Sequence, residues 1–199
     1  MNRSQKIKKI TGLGIMTALV VVLTLFSNLI SFGSVSINLA LIPIVIGACI
    51  YGPIEGMFLG IVNGIIVLTA PQTLGFLTYN PIITVILCLV KTGVAGLVAG
   101  LLFKLLKNKF SNDLIATIIT SLAVPILNTG IYLLGCIIFY LPHFETIGEA
   151  LGLSFNPIGV LMYTTFTSNF IIEFVSTVVL SPAVHRIINY YSSKNKKSV

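Results

Sequence analysis

The segment Pro81–Leu106, PIITVILCLVKTGVAGLVAGLLFKLL, decides how this chain is read. It runs 26 residues with only two charges, Lys91 and Lys104. A helix that crosses a bilayer needs about 20 predominantly apolar residues, so this segment is expected to be a membrane span. Five more apolar stretches flank it: 11–30, 38–51, 56–69, 114–141 and 158–190. Between them lie a turn at 31–36, a Gly-Pro break at 51–56, a loop at 70–80, a basic turn at 107–113 and a long loop at 142–157. The expected fold is an all-α integral membrane protein, one domain over 1–199, with six transmembrane helices.

Composition agrees. The chain has 199 residues, 56% hydrophobic and 9% charged, with a mean hydropathy of +1.04. Soluble domains run about 45–50% apolar and about 25% charged. This chain lacks the charge to cover a water-facing surface, which excludes an ordinary soluble domain and a disordered chain. No room remains for a separate ATP-binding or catalytic domain. The first apolar stretch is about 20 residues, longer than the 7–15 of a signal-peptide core, and no A-x-A site follows. It reads as a retained span. Spans 2 and 3 are short. Two short spans or one re-entrant hairpin are both compatible, and the charge count favours two spans.

The net charge of +7 does not point to nucleic acid, because no basic face exists. Apart from Lys91, the cations sit at Arg3–Lys9, Lys104–Lys109 and Arg186–Lys197. The segments 32–37, 70–80 and 142–157 contain no Lys or Arg. This asymmetry predicts that both termini are cytoplasmic. The outer loops carry Phe76, Tyr79, Phe144 and Phe155, which read as lids. Cys49, Cys88 and Cys136 lie in apolar runs without C-x-x-C spacing and read as buried and reduced.

Catalytic signatures are missing. There is no phosphate loop, no GxSxG elbow and no HExxH. The five acids are Glu55, Asp113, Glu145, Glu149 and Glu173, and only Glu173 lies deep in a span. No metal site, cofactor or enzyme activity is expected.

Two charges inside spans stand out, because each costs about 2.5–3.5 kcal/mol on insertion scales. They are Lys91 and Glu173. They form either a structural ion pair or part of a polar ligand site. Polar residues share their helix faces: Thr165, Asn169, Glu173 and Thr177 at every fourth residue, and Ser121, Pro125, Asn128 and Tyr132 at three and four. Asn63 lies on span 3, and Tyr79 and Asn80 lie where the 70–80 loop enters span 4. Together they suggest a pocket for a small anionic or zwitterionic metabolite. Small-residue ridges form a second pattern. Gly56, Gly60 and Gly64 recur on span 3, Gly96 and Gly100 on span 4, and Gly14 and Ala18 on span 1. Such ridges let helices approach closely.

The chain resembles the substrate-binding S components of energy-coupling factor (ECF) vitamin transporters. The resemblance rests on Gly14-x-x-x-Ala18, on Ile42-Pro43 through Tyr51-Gly52-Pro53-Ile54-Glu55-Gly56, and on Asn80-Pro81 through Lys91-Thr92-Gly93-x-x-Gly96-x-x-x-Gly100. The family's usual first motif is Ala-x-x-x-Ala, so Gly14 departs from it. The resemblance implies capture of a vitamin from outside, in the bacterial plasma membrane, with a transmembrane scaffold subunit and two cytoplasmic ATPases as partners. It implies docking at Gly14 and Ala18, and a pocket of Tyr79, Asn80, Lys91, Asn128, Tyr132, Asn169 and Glu173. Span 4 looks most like the pantothenate-type members. Riboflavin or hydroxymethylpyrimidine as substrate, or a self-sufficient ion-coupled transporter using Glu173, are the alternatives.

Overall fold

A computed structural model describes residues 3–30, 38–110, 113–166 and 170–196. Among the described residues all regular structure is helical. The helices are α1 (Arg3–Ile30), α2 (Leu41–Tyr51), α3 (Pro53–Val67), α4 (Pro71–Tyr79), α5 (Pro81–Lys109), α6 (Asp113–Phe139), α7 (Leu141–Ala150), α8 (Pro157–Thr165) and α9 (Ile171–Lys196).

Four of these, α1, α5, α6 and α9, are long and apolar enough to cross a membrane. A fifth crossing follows if α3 and α4, which bend by 82° at their break, count as one. The chain is therefore a multi-pass helical membrane protein. Two sequence expectations are corrected. The 70–80 loop is mostly helix α4, and the 142–157 loop begins as helix α7. Both start with a proline in the first two positions, where a missing N–H costs nothing and the fixed φ suits a helix. Over the span expected at 158–190 the described residues are helical, as α8 and α9.

Helix α2 is the hub. At 11 residues it rises only about 16 Å, too little to cross a bilayer alone. It is apolar on all sides, and such a helix is buried in protein. Leu41, Pro43, Ile44, Val45, Ile46, Gly47 and Ala48 are all buried. It packs against α1, α3, α5, α6 and α9. Gly52, at φ +123°, ends it, and Pro53 opens α3 at once. That backbone is one that glycine adopts readily. The break expected over 51–56 is thus one residue wide.

Helices α3 and α5 touch backbone to backbone. A methyl group on Gly60 would collide with the Thr92 carbonyl, and one on Gly96 with the Gly56 carbonyl. On Gly64 it would lie 2.6 Å from the Cys88 oxygen. The ridge read from the sequence is therefore an internal seam. In lipid no hydrophobic gain separates helix from lipid contact, so close van der Waals packing is what holds such helices together. Lys9 pairs with Glu55, joining the start of α1 to the start of α3.

Gly60→Leu should lower stability by at least about 1–3 kcal/mol, the usual overpacking cost. Gly14→Leu, where nothing lies within 4 Å of the added carbon, should leave it unchanged. Thermal unfolding of the two variants in detergent checks the contrast.

Candidate functional site

Two apolar clusters bracket a polar gap. Along α6 the first cluster takes Ala116 and Val124, and the second takes Cys136, with Tyr140 just beyond the helix. Between them Asn128, Thr129 and Tyr132 face a cavity of about 420 Å³. Along α5 the same gap is lined by Thr84, Leu87, Cys88 and Lys91. Small-molecule sites span about 300–1,000 Å³, so this one suits a small metabolite.

Of the residues expected in the pocket, Lys91, Asn128, Tyr132 and Glu173 line the cavity. They come from α5, α6 and α9, brought together by the α5–α6 and α6–α9 packing. The Lys91 ammonium lies over the Tyr132 ring, 5.2 Å from its centroid. Such a contact holds a cation without neutralising it. Glu173 is buried, at 6% exposure. Its carboxylate accepts hydrogen bonds from the Asn128 side chain and the Asn38 backbone N–H. Among the described residues the ion pairs are Lys9–Glu55 and Lys107–Asp113. Lys91 and Glu173 line one cavity without forming a salt bridge.

Other expected residues lie elsewhere. Asn80 caps α5, its Oδ1 accepting from the Ile83 N–H at 3.2 Å. Its carbonyl accepts from Thr84 at 2.7 Å and from Tyr140 at 3.0 Å. Asn80 thus ties the start of α5 to the start of α7 rather than lining the cavity. Tyr79 is 48% exposed and stacks at the outer edge, 5.1 Å from His143. Asn63 is fully buried and accepts from the Thr24 hydroxyl at 2.8 Å, outside the lining. Ser121 is buried below the cavity in sequence order and Thr165 lines it. Asn169 lies outside the described residues.

The sequence reading missed the contribution of α1. Thr24, Ser27 and Asn28 line the cavity. Their spacing of three and four on one helix face was the available signal. Gln72 and Thr73 of α4 were also missed as wall, because that segment was taken for a loop, while Phe76, expected as a lid, lines the cavity.

Three of the aromatic residues expected as lids, Phe76, Tyr79 and Phe144, fall on helices α4 and α7. Phe76 of α4 stands at the centre of an aromatic cluster, with ring centroids 5.1 Å from Tyr140, 5.3 Å from His143, 5.9 Å from Phe144 and 6.2 Å from Tyr132. Edge-to-face contacts of this kind add to area burial. Helices α4 and α7 thereby close together over one end of α6. Phe155 is separate and packs on Tyr163 at 5.9 Å. Burial holds the His143 imidazole below its ordinary pKa.

Fold and cavity define a multi-pass membrane protein that encloses a chamber sized for a small molecule. The sequence matches the family described as ECF transporter, substrate-specific component, over residues 8–190, and the chain belongs to that family. It is accordingly a substrate-specific transport subunit, with a small-molecule substrate and transporter modules as partners. No individual curated protein gives a significant match.

A lowered His143 pKa means the unfolded chain takes up the proton first as pH falls. His143's contribution to stability is full above the ordinary histidine value of about 6.5 and is lost as pH drops through it. Wild-type thermal stability should fall more steeply between about pH 7.5 and about pH 5.5 than that of His143→Gln. Unfolding midpoints across that range check it.

Proposed function

We propose that this subunit captures pantothenate from outside a bacterial plasma membrane. It hands the vitamin inward together with a transmembrane scaffold subunit and two cytoplasmic ATPases. The chain itself is non-catalytic, and ATP hydrolysis belongs to the partners. In this reading the six crossings are the long spans α1, α5, α6 and the α8–α9 pair and two short ones at α2 and α3, which pack against longer neighbours instead of spanning the hydrocarbon core by themselves, with both termini in the cytoplasm. Helices α4 and α7 then lie at the outer face as lids.

One observation carries the reading: a lysine ammonium on a cavity wall inside a membrane domain, over an aromatic ring and without a carboxylate bound to it. A charge kept at such cost marks a binding site by default. A single cation suits a single carboxylate, which pantothenate supplies. Lys91 binds that carboxylate, Tyr132 steadies Lys91, and Asn128 and Glu173 bind the rest of the molecule. Asn169 belongs to the same face of the expected sixth span and adds a further amide. Tyr79 and Asn80 act through closure: Tyr79 stacks in the lid and Asn80 anchors the hinge between α5 and α7.

Gly14 and Ala18 are exposed on α1. Their neighbours Ile15, Leu19 and Val22 are exposed large apolar residues. This face is where the scaffold subunit docks.

The purified chain should gain about 2.7 kcal/mol of stability at pantothenate concentrations 100 times the dissociation constant. Lys91→Ala should fold normally and bind about 10- to 100-fold more weakly, the range for a hydrogen bond to a charged group. Thermal-shift titration against a panel of B vitamins checks both. Stabilisation by riboflavin or hydroxymethylpyrimidine alone would reassign the substrate. Uptake without any ATPase, abolished by an uncoupler, would replace this mechanism with an ion-coupled one.

Gly14→Leu should keep vitamin binding and lose co-purification with the scaffold subunit. Pull-down from membranes holding all subunits reads that loss directly.

A further inference from the structure

The cavity has two chemically different ends, and the second is not explained by a carboxylate on Lys91. Glu173 accepts from the Asn128 side chain and the Asn38 N–H. Its Oε2 has no partner. Because the Asn128 amide N–H₂ is turned to the carboxylate, its Oδ1 is left as an acceptor, and that atom is also without a partner. The Asn38 side-chain oxygen is a third such acceptor. All three residues line the cavity. Asn128 and Glu173 are more than nine-tenths buried. A carboxylate and a carbonyl oxygen can only accept. A buried acceptor left unmade is costly, which is why such atoms normally have partners. This cluster is therefore built for donors that arrive with a ligand.

The charges facing this cluster agree. Lys91 is the cation on the cavity wall among the described residues, and it does not form an ion pair with Glu173. A structural carboxylate in an apolar domain would close that pair. Glu173 instead lines the cavity with its Oε2 unpartnered.

Resting on the reading that this cavity holds the captured substrate, we propose that the Glu173–Asn128 end is a donor-reading subsite. The substrate class it selects is a monocarboxylate whose far end carries two or more hydroxyl or N–H donors. Carboxylates with an apolar far end are rejected. Sites that hydrogen-bond a ligand group discriminate strongly against analogues lacking it, because the buried partners are left unpaired.

The test compares pantothenate with its counterpart lacking both hydroxyls, on wild type and Glu173→Gln, by thermal shift and calorimetry of the full chain. Wild type should prefer the diol by about tenfold or more. Glu173→Gln puts a donor where Oε2 stood and should lose most of that preference. Its ligand-free unfolding midpoint should be unchanged or higher. A preference that survives the substitution overturns the proposal. So does a lowered ligand-free midpoint with no change in preference. If wild type ignores pantothenate, gluconate and hexanoate separate the two readings. Stabilisation by gluconate and not hexanoate removes pantothenate and keeps the donor-reading subsite. Stabilisation by hexanoate alone, or by neither, overturns the subsite. The wild-type comparisons hold whether or not the variant folds.

Discussion

The backbone contact between α3 and α5 sets the geometry on which the cavity depends. Gly60 meets the Thr92 carbonyl and Gly64 meets that of Cys88. With no side chain between them, the two helices cannot slide or roll without collision. The rotation of α5 about its axis is thereby fixed. Cys88, Thr92, Gly96 and Gly100 recur every fourth residue and face α3. Lys91 is one residue before Thr92, so it points about 100° away from the seam. That turn places its ammonium on the cavity wall over Tyr132. A row of glycines thus determines where the cation stands, although no glycine touches it.

The opposite charge is held by a different device. Glu173 is positioned by Asn128 from α6 and by the chain at Asn38, which leads into α2. Both donors come from elements packed against α9. Burying an ionised carboxylate costs several kcal/mol unless hydrogen bonds or an ion pair offset it. Here the Lys91 charge across the cavity and the two donors offset part of that cost, without a salt bridge. A domain selected for stability alone would have joined Lys91 to Glu173 or replaced both with apolar side chains. Lys91 and Glu173 instead line one cavity unjoined, the arrangement on which the proposed binding reading rests.

Much of this was legible in the sequence. The α3–α5 seam followed from Gly56, Gly60, Gly64, Gly96 and Gly100, because small residues at four-residue spacing have one main structural use in a membrane. Lys91, Asn128, Tyr132 and Glu173 were legible because charge and amide groups are rare in apolar helices and fell at compatible depths. The rest was hidden for identifiable reasons. Helices α4 and α7 have 9 and 10 residues, too short for an apolar period to register. Prolines at 71 and 142 read as loop punctuation when they are helix starts. Tyr79 and Asn80 looked like pocket residues from their polarity, yet capping and lid packing use the same groups. The inner face of α1 was masked by its outer face. Gly14 and Ala18 drew the reading toward a partner, and Thr24, Ser27 and Asn28 passed unnoticed.

That double character of α1 has a mechanical consequence. The helix spans 28 residues, about 42 Å at 1.5 Å per residue. Toward its middle it exposes Gly14 and Ala18. Its second half supplies cavity wall, with Thr24 bonded to Asn63 and Ser27 accepting from the Leu39 N–H at 3.2 Å. Thr24 joins α1 to α3, and Ser27 joins it to the turn that opens α2. A load applied at the Gly14 face is carried along one continuous helix to those two hydrogen bonds. Any tilt of α1 must stretch them or carry α2 and α3 with it, and either response changes the chamber they help enclose. Coupling between a partner face and a ligand cavity requires an element that both sites touch, and its effects are reciprocal. Helix α1 lines the cavity and carries the exposed Gly14–Ala18 face, so it is the element through which a contact on that face would reach the cavity.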